Sequence, residues 1–417
     1  MSDSIEITLE TMANGGSALG RNAGRTVFIP YTIPGETVMA QVVTEKGRTL
    51  FAEGLTLLEA SADRVFPRCE FFGPHKCGGC HWQHIAYGAQ LLLKQDVLTD
   101  QLERIGGLPD AEVRPLIAAP AEWGYNEYMT FVRTADGRLG FPGARFAPGA
   151  DVPAVAVNAC HVLHPDLLEL KDSLELEKVT GIEEATFIRT DDAPMLILRM
   201  ADDLPPELET DLPMSINLLL SDGEAVNLIG DLHGQHTVSG RTFRVTAGSP
   251  FRANRGQLPA LAEAVLAALE LTGSEHLLDL YAGVGFFSAL LAPHTRRLTL
   301  VEDDSDAVDD ADFNTSDFDH VDVIESAVED VWEALDGAYD VALVDPPAEE
   351  GLSGAALDGL VALGLRRIVY VSGDPATLAR DAKRLTAQGY RLVYAQPLDF
   401  APQTFALETV ARFDRLA

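Results

Sequence analysis

The sequence predicts an α/β protein, with a doubly wound C-terminal domain preceded by a small OB-like β-barrel and a mixed α+β central domain. Three observations predict it. From residue 258 onward, apolar strand-like runs alternate with helical stretches, which is the pattern of a parallel sheet covered on both faces. Residues 5–60 break into short alternating runs separated by the turns NGG, IPGE and EKGR, which suits a small barrel. The length of 417 residues leaves room for two to three domains, at roughly 150 residues each.

Composition narrows the function. Hydrophobic residues make up 47%, and 64 acidic residues face 31 basic ones, for a net charge of -33. That hydrophobic share excludes a disordered chain. The charge excludes a uniformly basic nucleic-acid coat protein. No apolar run approaches the roughly 20 residues that span a bilayer, and the acidic start MSDSIEITLE lacks an apolar leader. The expectation is a soluble, cytoplasmic, monomeric protein with no membrane contact. Residues 1–60 carry 4 basic and 7 acidic side chains, so this segment repels a polyanion least. The run Glu302–Asp322 holds ten carboxylates and no Lys or Arg; it reads as a solvated helix face.

In the barrel segment, 1–60, the strand candidates are SIEITLE, TVFIPY, ETVMAQVV and LFAEGLTLLE. The central segment, 61–240, opens with CEFFGPHKCGGC, which carries Cys69, Cys77 and Cys80; the fourth cysteine is Cys160. Clustered thiols in a reducing compartment point to a metal or iron–sulfur site, with zinc as the rival occupant. An amphipathic helix is expected around Tyr87–Ile105. Strand candidates follow at YMTFVRT, TFIRT, PMLILRM and SINLLLS. A boundary is expected near 235–250, so that 241–417 forms the C-terminal domain. There the helix LPALAEAVLAALE precedes the buried strand HLLDLYA, and RLTLVE, DVIES, YDVALVD, RIVYVSG and YRLVYAQPLD continue the sheet.

The chemistry gathers at strand ends. The first strand ends in Asp279-Leu-Tyr-Ala-Gly283-Val-Gly285. The glycines let the backbone approach a ligand at the open edge of the sheet. The second strand ends in Glu302, an acid suited to ribose hydroxyls. A later strand runs into Asp345-Pro346-Pro347, a stiff loop beside the same edge. Together these resemble the S-adenosylmethionine site of class I methyltransferases, and they make Asp279, Gly283, Gly285, Glu302 and Asp345 the candidate cofactor-binding residues.

Over nearly its whole length the chain resembles the RNA (uracil-5-)-methyltransferase family. MANGGSALGRNAGRTVFIPYTIPGETVMAQV resembles that family's RNA-binding TRAM domain. Cys69, Cys77, Cys80 and Cys160 match its four [4Fe–4S] ligands, flanked by CGGCHWQHI and Cys-His-Val-Leu-His-Pro, although seven residues separate the first pair where the family has five. Trp82 and Gln83 are expected to pack around that site. DLYAGVGFFS, VDPP, YVSGDPATLARD and PQTFALETV resemble the family's motifs around the cofactor and the target base. The resemblance implies S-adenosyl-L-methionine and a [4Fe–4S] cluster as cofactors, and ribosomal or transfer RNA as partner.

It also implies a cysteine that adds to uracil C6 and a carboxylate that removes the C5 proton. The nucleophile's position is Gly373, followed by Asp374 where the family has Asn; the carboxylate position is Glu408. All four cysteines match the cluster, which leaves none for C6. Arg252 stands at a cofactor-contacting glutamine position, Ala348 at an arginine and Ala406 at a histidine. The segment Tyr125-Asn126-Glu127-Tyr128 replaces a basic one. Uracil-C5 chemistry is therefore in question, and Ser372 is a weak substitute nucleophile. Three readings remain: uracil-C5 methylation by a route without a cysteine adduct, methyl transfer to another RNA atom such as a nitrogen or oxygen, or a non-catalytic relative that binds RNA and cofactor.

Overall fold

A computed structural model of the chain describes residues 4–144, 152–335 and 337–416. Five strands, β1 (Ser4–Met12), β2 (Ala18–Asn22), β3 (Arg25–Ile29), β4 (Thr37–Lys46) and β5 (Thr49–Glu59), close into a barrel in the order β1-β2-β3-β5-β4. Inward Ile7, Leu9, Val27, Ile29, Val38 and Ala40 fill it. The strand β2 was not among the sequence candidates; its run ALGRN lacks the β-branched and aromatic residues that flag strands.

Helix α1 (Tyr87–Arg104) follows the cysteine segment. Its buried stripe is Gln90, Lys94, Val97, Leu98, Gln101 and Leu102. Those positions recur at helical spacing, so one face is covered along its length. Leu98 and Leu102 join the core of the C-terminal sheet, although the helix lies in the central segment of the sequence.

The central sheet has seven strands: β6 (Tyr128–Arg133), β7 (Leu139–Phe141), β8 (Val155–Ala156), β9 (Ile182–Ile188), β10 (Met195–Met200), β11 (Ser215–Leu219) and β12 (Ala225–Ile229). Its order is β12-β11-β10-β9-β6-β7-β8, and helix α2 (Pro165–Ser173) packs on it through Leu167. Next comes a hairpin, β13 (His233–Val238) and β14 (Arg241–Thr246), whose Val238 and Phe243 enter the C-terminal core.

The C-terminal sheet comprises β15 (His276–Leu280), β16 (Arg297–Glu302), β17 (Val321–Glu325), β18 (Val341–Val344), β19 (Arg367–Ser372), β20 (Tyr390–Leu398) and β21 (Glu408–Arg415), in the order β17-β16-β15-β18-β19-β21-β20. Every pair is parallel except those made by β21, which is antiparallel to both neighbours. Helices α3 (Leu258–Leu269) and α4 (Phe286–Leu291) cover one face; α6 (Gly354–Ala362), α7 (Pro375–Ala387) and α1 cover the other. Helix α5 (Ser305–Thr315) packs against α4, β14 and β17. This is the class I methyltransferase fold, behind an N-terminal barrel. No helix among the described residues is long and apolar enough to cross a membrane.

The acidic run is more than a solvated face. Asp310 is fully buried and takes Arg244 Nε at 2.6 Å; Asp304 caps α5 by accepting from Ala307 N–H; Asp317 and Asp322 pair with Arg241 and Arg297. Basic residues distant in sequence offset the run's self-repulsion.

Candidate active site

Register builds the site. Leu280 stands level with Val301 and with Val344, and Val344 with Tyr370. Ser372 stands level with Thr409 on β21. The residues at and just beyond these strand ends therefore meet at one edge: Tyr281 to Gly283, Glu302, Asp345, Gly373 and Glu408. They line a cleft of about 580 Å3, walled also by Tyr128, Phe251, Arg252, Phe286 and Phe287. The strand order reverses between β15 and β18, where α/β sheets bind ligands.

Gly283 and Gly285 have φ of 53° and 75°. Both turn the chain in the left-handed region that disfavours a side chain. At Gly285 a Cβ would also sit 3.1 Å from Ala311. Tyr281 holds φ 59° without being glycine, and its hydroxyl reaches Glu329 at 3.4 Å. Glu302 braces the turn: one carboxylate oxygen accepts from Gly283 N–H at 2.8 Å, the other from the N–H groups of Asp303 and Asp304 at 3.0 and 3.1 Å. Burial pushes its carboxyl upward.

Asp279 does not line the cleft. It is fully buried beneath the turn, where one oxygen accepts from Ser288 Oγ at 2.6 Å and the other has no partner among the described residues. Burial is the chief cause that pushes its carboxyl up to about 7. A buried, half-satisfied carboxylate is costly unless a ligand or proton completes it.

Arg252 spans the cleft wall. Its Nη2 donates to both oxygens of Asp345, at 2.8 and 2.9 Å, and its Nε lies 3.5 Å from Glu408 Oε1. The guanidinium also stands 5.8 Å from the centre of the Phe287 ring. Burial pushes the Glu408 carboxyl upward, against the pull of Arg252. The second oxygen of Glu408 is buried without a partner among the described residues. At Gly373 a Cβ would find Ala348 Cβ at 3.1 Å and Glu408 Oε1 at 3.6 Å. Ser372 is buried, and its hydroxyl is tied to the backbone of Asp374. Asp374 caps α7 through Ala376 and Thr377 N–H. Cleft and strand ends thus bring together Gly283, Glu302, Asp345, Arg252, Gly373 and Glu408, with no thiol among them.

The four cysteines lie elsewhere and together. Cys69, Cys77, Cys80 and Cys160 line one small apolar cavity with Phe71, Phe72 and Met129. None is disulfide-bonded. Burial first, then the neighbouring thiols, pushes Cys77 up to about 11 and Cys80 up to about 12. Among the described residues, no set of His, Cys, Asp or Glu is drawn tightly enough to grip a single metal ion. Gln83 lines this cavity and accepts from Cys69 N–H at 3.0 Å. Trp82 packs instead into the barrel core, with its indole N–H on Gly16 O at 2.9 Å.

Sequence reasoning did not single out Tyr281, nor the anchoring of the loop 399–406, whose motif PQTFALETV it had noted, to helix α1. A polar signal was present for the last of these: Gln90 and Lys94 sit on the buried stripe of α1, and buried polar groups need partners.

Comparison with known proteins agrees with this layout. Residues 3–55 match the TRAM domain, and residues 256–364 match the methyltransferase small domain. An uncharacterized RNA methyltransferase of Halalkalibacterium halodurans is 31% identical, over 98% of this chain and 96% of its own. One from Chlorobaculum tepidum is 30% identical, over 99% and 96%. Among solved structures, the tRNA (uracil-54, C5)-methyltransferase of Pyrococcus abyssi, in complex with S-adenosyl-L-homocysteine, superposes with a TM-score of 0.74. It is 23% identical, with 98% of this chain and 99% of that one covered. At that identity the likeness speaks for the fold.

Proposed function

Because this chain belongs to the RNA methyltransferases that join a TRAM domain to a methyltransferase small domain, we propose that it methylates RNA at an atom that is itself nucleophilic, a base nitrogen, and not at uracil C5. The observation that carries this reading is Gly373. Uracil C5 must be activated by a nucleophile adding at C6. Position 373 offers hydrogen in place of a thiol, its neighbours are Ala348 and Glu408, and all four cysteines line the separate cavity. A nitrogen lone pair needs no such adduct.

Bound S-adenosylmethionine supplies a methyl group on a positively charged sulfur. The residues of this chain suit it. Glu302, Asp303, Asp345 and Glu408 line the cleft, and Arg252 is the cation among its lining residues, so the field favours a cationic ligand. Glu302 has its carboxylate at the lip of the glycine turn, where ribose hydroxyls bind in such folds. Asp279 supports the glycine turn from beneath, through Ser288 Oγ. Asp345 is placed to accept an acceptor amine's N–H. Methyl transfer breaks the S–CH3 bond and forms an N–CH3 bond. The nitrogen then loses a proton, and Glu408, whose carboxyl lies above its ordinary value, is the group beside it able to take that proton.

The cysteines are read as ligands of a [4Fe–4S] cluster. Their convergence on one desolvated cavity supports this, and a cluster takes each thiolate on a separate iron, so it does not require them to meet at a point. Methyl transfer from a sulfonium needs no electron, so the cluster's part is to hold the segment 69–83 against Cys160, because binding free energy of this kind is folding free energy.

One observation favours a second reading, binding without transfer: the Arg252 guanidinium occupies the space between Asp345 and Glu408. The two readings part in one experiment. Protein purified without oxygen is incubated with labelled S-adenosylmethionine and unmodified ribosomal and transfer RNA, and the nucleosides are identified by mass spectrometry. A labelled N-methyl nucleoside is expected. Labelled 5-methyluridine overturns the argument from Gly373. An O-methyl product moves the acceptor to oxygen. No label, with cofactor binding verified by calorimetry, establishes the binding reading.

A further inference from the structure

We propose that Gln403 is a positioning residue through which the four-cysteine site sets the placement of Glu408 in the cleft. The inference rests on the assignment of the cleft as the site of transfer. Gln403 stands in the left-handed region, at φ 70°, and is 3% exposed. Few non-glycine residues occupy that region, and those that do are held there by their surroundings. The surroundings here are specific. The Gln403 carbonyl accepts two consecutive backbone N–H groups, from His81 at 3.0 Å and Trp82 at 2.9 Å. These are the two residues that follow Cys80. The Gln403 N–H donates to Gln90 Oε1 at 2.9 Å, and Gln90 Nε2 donates back to Gln403 Oε1 at 3.1 Å.

The rest of the loop is held by the same N-terminal half. Tyr125 Oη donates to Pro402 O at 2.9 Å. Lys94 Nζ donates to Ala401 O and Ala406 O, at 3.1 and 2.7 Å. The His81 ring lies 4.7 Å from that of Phe405. Two residues after Ala406, β21 begins with Glu408. The cysteine segment and the loop before Glu408 are thus joined chiefly at one residue in a strained conformation, Gln403, which makes four hydrogen bonds, with the His81–Phe405 ring contact beside it. Displacement of His81 and Trp82 has to be absorbed by Gln403 or passed to Glu408. This makes the distant cysteine site a structural input to the cleft without any electron or proton passing between them.

Amide hydrogen exchange tests it on the full chain, prepared anaerobically. Peptides from 69–85, 399–410 and 276–302 are followed, and iron is measured on the same samples. In Cys80→Ser, exchange is expected to rise about ten-fold in both 69–85 and 399–410, with 276–302 unchanged. A rise confined to 69–85 overturns the coupling. If Cys80→Ser loosens 276–302 as well, Gln403→Gly decides, because glycine accepts the backbone angle and only the amide side chain is lost. Faster exchange at 399–410 and at the His81 and Trp82 amides, with iron content kept, is then expected; unchanged exchange there overturns the proposal. Gln403→Asn, which keeps an amide and tolerates the left-handed region, is expected to hold exchange within about two-fold of wild type, which a mere filler of space at 403 would not require. Wild-type protein without iron overturns the cluster assignment and leaves the coupling to be judged on exchange alone.

Discussion

Arg252 and Asp345, 93 residues apart, form a forked ion pair, with one guanidinium nitrogen 2.8 and 2.9 Å from the two carboxylate oxygens. Glu408 completes the group from the other side. The pair holds the loop before α3 against the end of β18, and it decides which charges the cleft presents. Removing the cation leaves two carboxylates facing each other.

Arg252→Gln is therefore expected to destabilise the protein by about 2–3 kcal/mol. A fully buried pair would lose more, but these side chains keep about a fifth of their exposure, and water screens them. Adding Asp345→Asn to that variant is expected to recover part of the loss. Urea midpoints of the two variants and wild type check both statements.

Gly373→Cys is expected to fold and to form no 5-methyluridine. No left-handed angle bars a side chain at this position, and the one close neighbour is Ala348 Cβ, so the stability cost stays within about 1–2 kcal/mol. Arg252, Ala348 and Ala406 still stand where the family's glutamine, arginine and histidine would be, so a thiol alone does not rebuild the uracil site. Nucleoside analysis after incubation with labelled cofactor checks this; abundant 5-methyluridine would refute it.

Glu302→Gln is expected to weaken S-adenosylhomocysteine binding about ten-fold, or about 1.4 kcal/mol. Both carboxylate oxygens accept backbone N–H groups. An amide has one acceptor oxygen and must turn its NH2 toward a donor, so the glycine turn loses one of its anchors. Calorimetry reads the change; an unaltered affinity would assign the ribose contact to another residue.

Asp279 gives the fold a pH dependence of definite sign. Its buried carboxyl titrates near 7 against an ordinary 3.8. Between those values the folded chain keeps a proton that the unfolded chain releases. Its contribution to stability is therefore complete below about pH 4 and is lost as the pH rises through 7. Asp279→Asn removes this dependence. Between pH 5 and 7.5, the variant is expected to gain about 1–3 kcal/mol relative to wild type, read from denaturant midpoints at the two values.

Lys94 and Asp399 make an ion pair at 2.6 Å with both side chains fully buried. Lys94→Met is expected to cost about 3–5 kcal/mol, because it strands the carboxylate and two carbonyls. Lys94→Met with Asp399→Leu is expected to regain much of that. The thermal midpoints of both variants test it.

Much of this molecule is legible in its residues. The helix candidates at 87–105 and 258–270 and the strand candidates of the C-terminal sheet coincide with α1, α3 and β15 to β20, because apolar periodicity and turn residues act over a few positions. The strand β21 escaped notice, since four of the eight residues of ETVARFDR are charged and its first three belong to the motif PQTFALETV. The hairpin β13–β14 escaped for the same polar reason. Of the candidate site residues, Gly283, Glu302, Asp345, Gly373, Glu408 and Arg252 line the cleft. They could be named because each sits at a strand end or in a short motif.

What the sequence alone determined, then, is the order of the parallel strands β15 to β19 and of helices α1 and α3, the glycine turn, the missing thiol at 373 and the four clustered cysteines. These are local facts, written in neighbouring residues. Only the tertiary structure decided that Arg252 bridges Asp345 and Glu408, that Asp279 lies beneath the turn and outside the cleft, and that Lys94 and Gln90 clasp the loop before Glu408. Those partners are separated by 93 to 313 residues. Hydrogen bonds and ion pairs act over about 3 Å, so which distant groups meet depends on how the sheet, barrel and helix α1 pack, and no local pattern encodes that.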